Sequence, residues 1–160
     1  MNFNDKGFTI VELILVLGIL LISIAIVLIL IDPETEHKKA RDSVRLTDVQ
    51  VLSRAIEEYI LDKGNPPDAT NVTRTSNTLP AGNSGSFENA VSGWIDANLS
   101  EYTVKLPSDP INTGSSVYTY RRSGGVYELN CVLEYLTSYM AGDGGNNANV
   151  YEVGSNLTIL

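Results

Sequence analysis

Cysteine and histidine are almost absent from this chain. A single cysteine, Cys131, in 160 residues excludes an intrachain disulfide framework. A single histidine, His37, excludes a multi-histidine metal site. Basic residues are outnumbered, 11 Lys and Arg against 19 Asp and Glu, for a net charge of -8. That balance argues against binding DNA or anionic headgroups by bulk charge. No P-loop and no dinucleotide fingerprint is present, and the glycines cluster in turn-like stretches. His37 stands in a charged run with no Ser or Cys nucleophile in an apolar, pocket-forming segment beside it. The expectation is therefore a protein that is not an enzyme. With 43% hydrophobic and 19% charged residues the chain is no acidic disordered tail, and its length suits one ordinary domain.

What is present is concentrated at one end. Phe8 to Ile31 reads FTIVELILVLGILLISIAIVLILI, with one charge, Glu12, and two hydroxyls, Thr9 and Ser23. As a helix the block is about 36 Å long, enough to cross a hydrocarbon core of about 30 Å. It has no polar face, and it is longer than the apolar core of a secretory signal peptide, with no small-residue cleavage site after it. A membrane anchor is the expectation, with the bulk of the chain outside. Asp5, Lys6 and Glu12 sum to -1, so -7 of the net charge lies beyond the anchor. Glu12 is the outlier, because a carboxylate at a helix centre in lipid costs about 2.5–3.5 kcal/mol. It is either an acid near the interface that snorkels or an acid awaiting a cationic partner inside an apolar assembly.

Downstream, Glu34 to Asp62 reads as an amphipathic helix. Ala40, Val44, Val51, Leu52, Ala55, Ile56, Tyr59 and Ile60 recur at helical spacings. Arg41, Asp42, Arg45, Asp48, Arg54, Glu57 and Glu58 fill the other positions, and a solvated face is the default for them. Pro33 is either the first helical residue after an Asp32 N-cap or a kink; one long helix bent near this point is favoured. Gly64 followed by Asn65-Pro66-Pro67 stops it. Residues 64–87 read as a Ser, Thr, Asn and Gly-rich loop. Glu88 to Leu99 is expected to be a short helix presenting Val91, Trp94, Ile95 and Leu99 to a core. Val117 to Arg122 and Val126 to Leu133 flank Ser123-Gly124-Gly125 as a β-hairpin. In its second strand Tyr127, Leu129, Cys131 and Leu133 share a face, which makes Cys131 a buried structural thiol, and Tyr118 and Tyr120 are expected to face the same core. Ala141 to Asn149 is a turn-rich loop and Tyr151 to Leu160 a final strand. Asn71, Asn98 and Asn156 open glycosylation sequons by pattern.

The stretch Lys6-Gly7-Phe8-Thr9-Ile10-Val11-Glu12-Leu13 resembles the class III signal motif of type IV pilins and type II secretion-like pseudopilins. The end of the long helix and the Leu106-Pro107-Ser108-Asp109-Pro110 turn before a Tyr-rich hairpin are similar to pseudopilins too. The resemblance implies a pilin fold, α+β, with a long N-terminal helix packed on a small antiparallel sheet head spanning about 117–160. It divides the chain into a leader at 1–7, a membrane and filament-core helix at 8–31, a spine helix at 32–63 and a globular head at 64–160. It implies cleavage between Gly7 and Phe8 and N-methylation of Phe8. Glu12, as the fifth mature residue, would meet the free amine of a neighbouring subunit and set the assembly register. The implied function is a structural subunit of a type IV pilus or pseudopilus, a membrane-anchored prepilin that becomes part of an extracellular homo-oligomeric filament. A prepilin peptidase, an assembly ATPase and a platform protein are the implied partners. The alternative is a monomeric membrane-anchored extracellular binding module. No cofactor is certain; some relatives bind calcium near this turn, and Asp109, Asp143, Asn146 and Asn147 are the candidate oxygen ligands here. Ile111 stands where that family has a tryptophan. DNA binding is disfavoured by the acidic head, although Arg121 and Arg122 offer a local basic tip.

Overall fold

The computed structural model describes residues 7–30 and 32–160. The expected leader, apart from Gly7, and Ile31 at the end of the expected membrane block lie outside the described residues. The fold is α+β, and the chain divides into two compact units, Met1–His37 and Lys38–Leu160.

In the first unit, helix α1 covers Ile10–Leu30. Its long run of Leu, Ile and Val has no helix breaker but Gly18, and its apolar side chains from Phe8 to Leu28 are exposed. Ile10–Leu28 is long and apolar enough to cross a membrane. Ser23 Oγ donates to Ile19 O at 2.8 Å, which satisfies the one hydroxyl in the middle of the run.

Helix α2 covers Pro33–Lys63. Asp32 caps it: Oδ1 accepts from Glu34 N at 3.1 Å and Oδ2 from Thr35 Oγ1 at 2.6 Å. Pro33, which has no N–H to lose, takes the first helical position. The junction expected to bend one long helix includes Ile31, which lies outside the described residues; the cap and proline mark where α2 begins. At the other end Gly64, at φ 82°, donates to Ile60 O at 2.8 Å and closes the last turn as a left-handed cap.

The head belongs to the second unit. Its sheet has four antiparallel strands in the order β1-β2-β3-β4. These are Thr73–Thr75, Thr119–Ser123, Val126–Cys131 and Tyr151–Gly154. The expected hairpin is β2-β3, closed by the Ser123↔Val126 pair around a turn in which Gly124 has φ 59°. Three expectations change. The loop at 64–87 contains β1, which pairs Arg74 with Tyr120. The final strand ends at Gly154 rather than Leu160. Residues 88–99 form turns, not a helix.

The reason for the last change is visible in the main chain. Trp94 N donates to Phe87 O and Leu99 N to Ala90 O, far from helical spacing. A Cβ on Gly93 would stand 2.3 Å from the carbonyl oxygens of both Phe87 and Asn89, so this fold of the chain needs glycine there. Trp94, Ile95 and Leu99 are nonetheless fully buried, while Val91 is exposed. They join Val49, Leu52 and Ile56 of α2 and Tyr118, Tyr120, Tyr127, Leu129, Cys131 and Leu133 of the sheet side in one core. Trp94 Nε1 donates to Pro107 O at 2.9 Å, giving the buried indole its partner.

Candidate processing and assembly site

The three residues singled out at the N-terminus sit at the start of α1. Thr9 is its cap. Glu12 N donates to Thr9 Oγ1 at 3.2 Å, and Leu13 N to Thr9 O at 3.1 Å. Glu12 therefore occupies the first helical turn, where the positive end of the helix dipole favours a carboxylate. The spacing Thr-x-x-Glu is a helix-start signature in its own right, a signal that the reading of the sequence left unused. Gly7 and Phe8 precede the helix without regular structure, and Phe8 is 76% exposed. The Gly7-Phe8 bond thus lies just outside the capped helix. Glu12 is exposed, and no cation among the described residues pairs with it.

A second cluster, in the head unit, was missed in the sequence. Arg45 and Asp42 of α2 are completely buried. Arg45 grips Asp109 with both faces of its fork, Nε to Oδ2 at 2.6 Å and Nη2 to Oδ1 at 3.1 Å. Its Nη1 also reaches Asp42 at 3.0 Å and Glu134 at 2.5 Å. Arg41 holds Glu134 from the other side at 2.6 and 2.7 Å. Asp42 accepts main-chain N–H bonds from Glu134, Tyr135 and Leu136. Asp109 accepts from Ile111 and Asn112. One turn of α2 thus fastens two loops, 109–112 and 134–136, to the helix.

The electrostatics follow from these contacts. The hydrogen bond from Arg41 pulls the Glu134 carboxyl down to about 2, with burial opposing and Arg45 helping. Burial pushes the Asp42 carboxyl up, yet the three main-chain donors and Arg45 outweigh it and hold it below the usual range. Burial pushes the Cys131 thiol up to about 12, so it remains a protonated, unreactive thiol. Burial raises Asp48 as well, although Tyr118 Oη donates to it at 2.8 Å.

The expected metal ligands fall in different places. Asp109 belongs to the Arg45 network. Asp143, Asn146 and Asn147 lie in the loop before β4, where Asp143 accepts from Gly145 N and Glu152 N, and Asn147 Oδ1 from Asn149 N. Among the described residues no group of three or more His, Cys, Asp or Glu side chains is placed to hold a metal ion. Arg121 and Arg122 are half-buried within β2, not at an exposed tip, and Arg122 Nη1 donates to Pro66 O. Of the three sequons, Asn71 and Asn98 are exposed and Asn156 is half-buried.

Residues 2–31 match the family model of the prokaryotic N-terminal methylation motif. That motif, running into an apolar helix long enough to cross a membrane, supports a membrane-anchored precursor of pilin-like type. Comparison with curated proteins and with solved structures found no match.

Proposed function

We propose that this chain is a structural subunit of a type IV pilus or pseudopilus filament. It is inserted as a prepilin, cut between Gly7 and Phe8, methylated on the new Phe8 amine and assembled through α1 with its neighbours. The observation that carries this reading is the methylation motif joined without a break to a helix whose apolar side chains are exposed. Such a helix needs lipid before assembly and neighbouring copies of itself afterwards. A head-to-tail contact that does not close on itself yields a helical fibre.

Glu12 has a specific part in this reading. Within an apolar bundle an unpaired carboxylate is penalised, and the Phe8 ammonium of the adjoining subunit relieves it. The pair forms only when neighbouring helices are offset by one register, which is what a filament requires. Mass spectrometry of filament or surface material is expected to find a mature chain beginning at methylated Phe8. An intact Met1 there would favour the monomeric anchored binding module instead. Glu12→Ala is expected to insert normally in the membrane and to abolish or strongly reduce filaments. Normal filament yield from that variant would sink the register role.

A further inference from the structure

Two large aromatic side chains of the head unit stand in solvent close together in the chain. Tyr135 is 48% and Tyr139 53% exposed. Tyr102, Tyr118, Tyr120 and Tyr127 pair their hydroxyls with Asp62, Asp48, Pro67 O and Ser53. Those of Tyr135 and Tyr139 make no hydrogen bond among the described residues. The segment that carries them is nonetheless anchored at both ends. Leu133 before it and Met140 after it are buried in the core, and Leu133 N donates to Met140 Sδ at 3.4 Å. Tyr135 N and Leu136 N donate to Asp42 of α2, and a short 3-10 turn, Thr137–Tyr139, follows. Lys39 Nζ lies 4.7 Å from the centre of the Tyr135 ring.

This patch is fastened to Lys39 and Asp42, near the start of α2. The apolar span ends at Leu28, and the chain from there to Pro33 reaches at most about 18 Å. From Pro33 to Lys39 α2 rises about 9 Å. However the two units are arranged, Lys39 is held within about 27 Å of the end of the span. Lys63, at the other end of α2, lies about 36 Å further on. The headgroup region adds about 5–8 Å to the hydrocarbon core on each side. Tyrosine is favoured at that depth, with its ring among the headgroups and its hydroxyl bonded to water or phosphate. A lysine beside it reaches the polar layer by snorkelling. Charge is not the attraction, because Lys38, Lys39 and Arg41 are matched by Asp32, Glu34 and Glu36.

We propose that Tyr135 and Tyr139, flanked by Lys39, form a membrane-interface pad that seats in the phospholipid headgroup layer and holds this end of the head against the bilayer. The pad rests on the membrane-anchored precursor and does not depend on the filament reading. It takes a phospholipid surface by its aromatic rings, without preference for anionic lipid. Leaving the membrane strips both rings of that layer, so the pad favours the anchored precursor over a chain drawn out of the bilayer.

The test uses the full chain, one copy per phosphatidylcholine nanodisc. Ser138→Cys, exposed between the two tyrosines, carries an environment-sensitive fluorophore, and the buried Cys131 stays unlabelled. Glu101→Cys carries it in the control, next to Tyr102, whose hydroxyl meets Asp62 at the far end of α2. Lipid bearing a nitroxide on its headgroup is expected to quench the label at 138 and to leave the label at 101 bright. Tyr135→Ser with Tyr139→Ser is expected to lose the quenching, and Tyr135→Trp with Tyr139→Trp to keep it. No quenching at 138 in a chain that stays with its disc overturns the pad alone. A chain that does not stay with its disc overturns the anchor as well. Undiminished quenching in the serine variant also overturns the pad, because the tether by itself would then bring residue 138 to the lipid. So does quenching that requires added anionic lipid. A response at 138 confined to discs carrying two chains would assign the patch to a second copy and overturn the proposal. Thermal melts read through Trp94 check that the variants fold; if the serine variant does not, the comparison of positions 138 and 101 decides.

Discussion

Arg45 gathers three carboxylates, Asp42, Asp109 and Glu134, at a point where no water reaches the guanidinium. A planar fork is required, because two of its nitrogens meet the two oxygens of Asp109. Arg45→Ala would strand Asp42 and Asp109 as buried, unpaired anions and is expected to destabilise the head by about 3–5 kcal/mol. Arg41→Ala is expected to cost clearly less, since its side chain is 30% exposed. Urea unfolding followed by tryptophan fluorescence, through the buried Trp94, measures both. Equal losses would show that Arg45 is not the centre of the network. The same titration at low pH checks the sign for Glu134. Its folded value of about 2 lies below the ordinary 4.5, so its contribution is present above pH 4.5 and lost as the pH falls toward 2. At this scale the sequence was half legible. The stretch holding Gly7, Phe8 and Glu12 was legible as a family motif, and the match over residues 2–31 covers it. Asp42 and Arg45 were assigned to solvent because they are charged, although 42, 45, 49, 52 and 56 keep one helical phase. The partners that make their burial tolerable, Asp109 and Glu134, lie more than sixty residues away, and nothing local announces them.

Among the elements, both helices and the hairpin follow from local chemistry: an apolar run, a cap followed by proline, a glycine turn between alternating strands. What failed was the inference from apolar spacing to helix at 88–99. Three of the four apolar residues named there are buried, so the spacing did report burial. It could not report that Gly93 lets the chain fold back on the carbonyls of Phe87 and Asn89. Strand β1, only three residues long, has too few positions to display a period. The two glycine sites separate experimentally. At Gly124 nothing lies within 4 Å of an added Cβ, so only the left-handed φ of 59° is at stake. Gly124→Ala is expected to cost about 1–2 kcal/mol, and Gly124→Asn less. Gly93→Ala meets main-chain atoms that cannot yield and is expected to cost more than Gly124→Ala. Paired thermal melts of the two alanine variants check the order, and the reverse order would contradict the steric account of the 88–99 turns.

For the molecule as a whole, the division of labour between its units has a direct consequence. Every residue of the hydrophobic core lies at or beyond Val49, and the Arg45 network starts at Arg41. The first unit contributes none of these side chains. The described side chains of α1 are exposed and, apart from Glu12 and Ser23, apolar, a surface that serves a membrane or a bundle and not a water-soluble head. Stability of the head and capacity to assemble should therefore be separable by cutting the chain. A fragment beginning at Asp32 keeps the helix cap and Pro33, and with them the whole of α2. It is expected to express as a soluble monomer that melts in one cooperative transition and forms no filaments at any concentration tested. Sedimentation would give its oligomeric state and circular dichroism its melt. Aggregation or a broad, non-cooperative melt would mean that α1 supports the head after all. Filaments formed by the fragment would locate the assembly contacts in the head, and the role proposed for the apolar helix and Glu12 would fall with them.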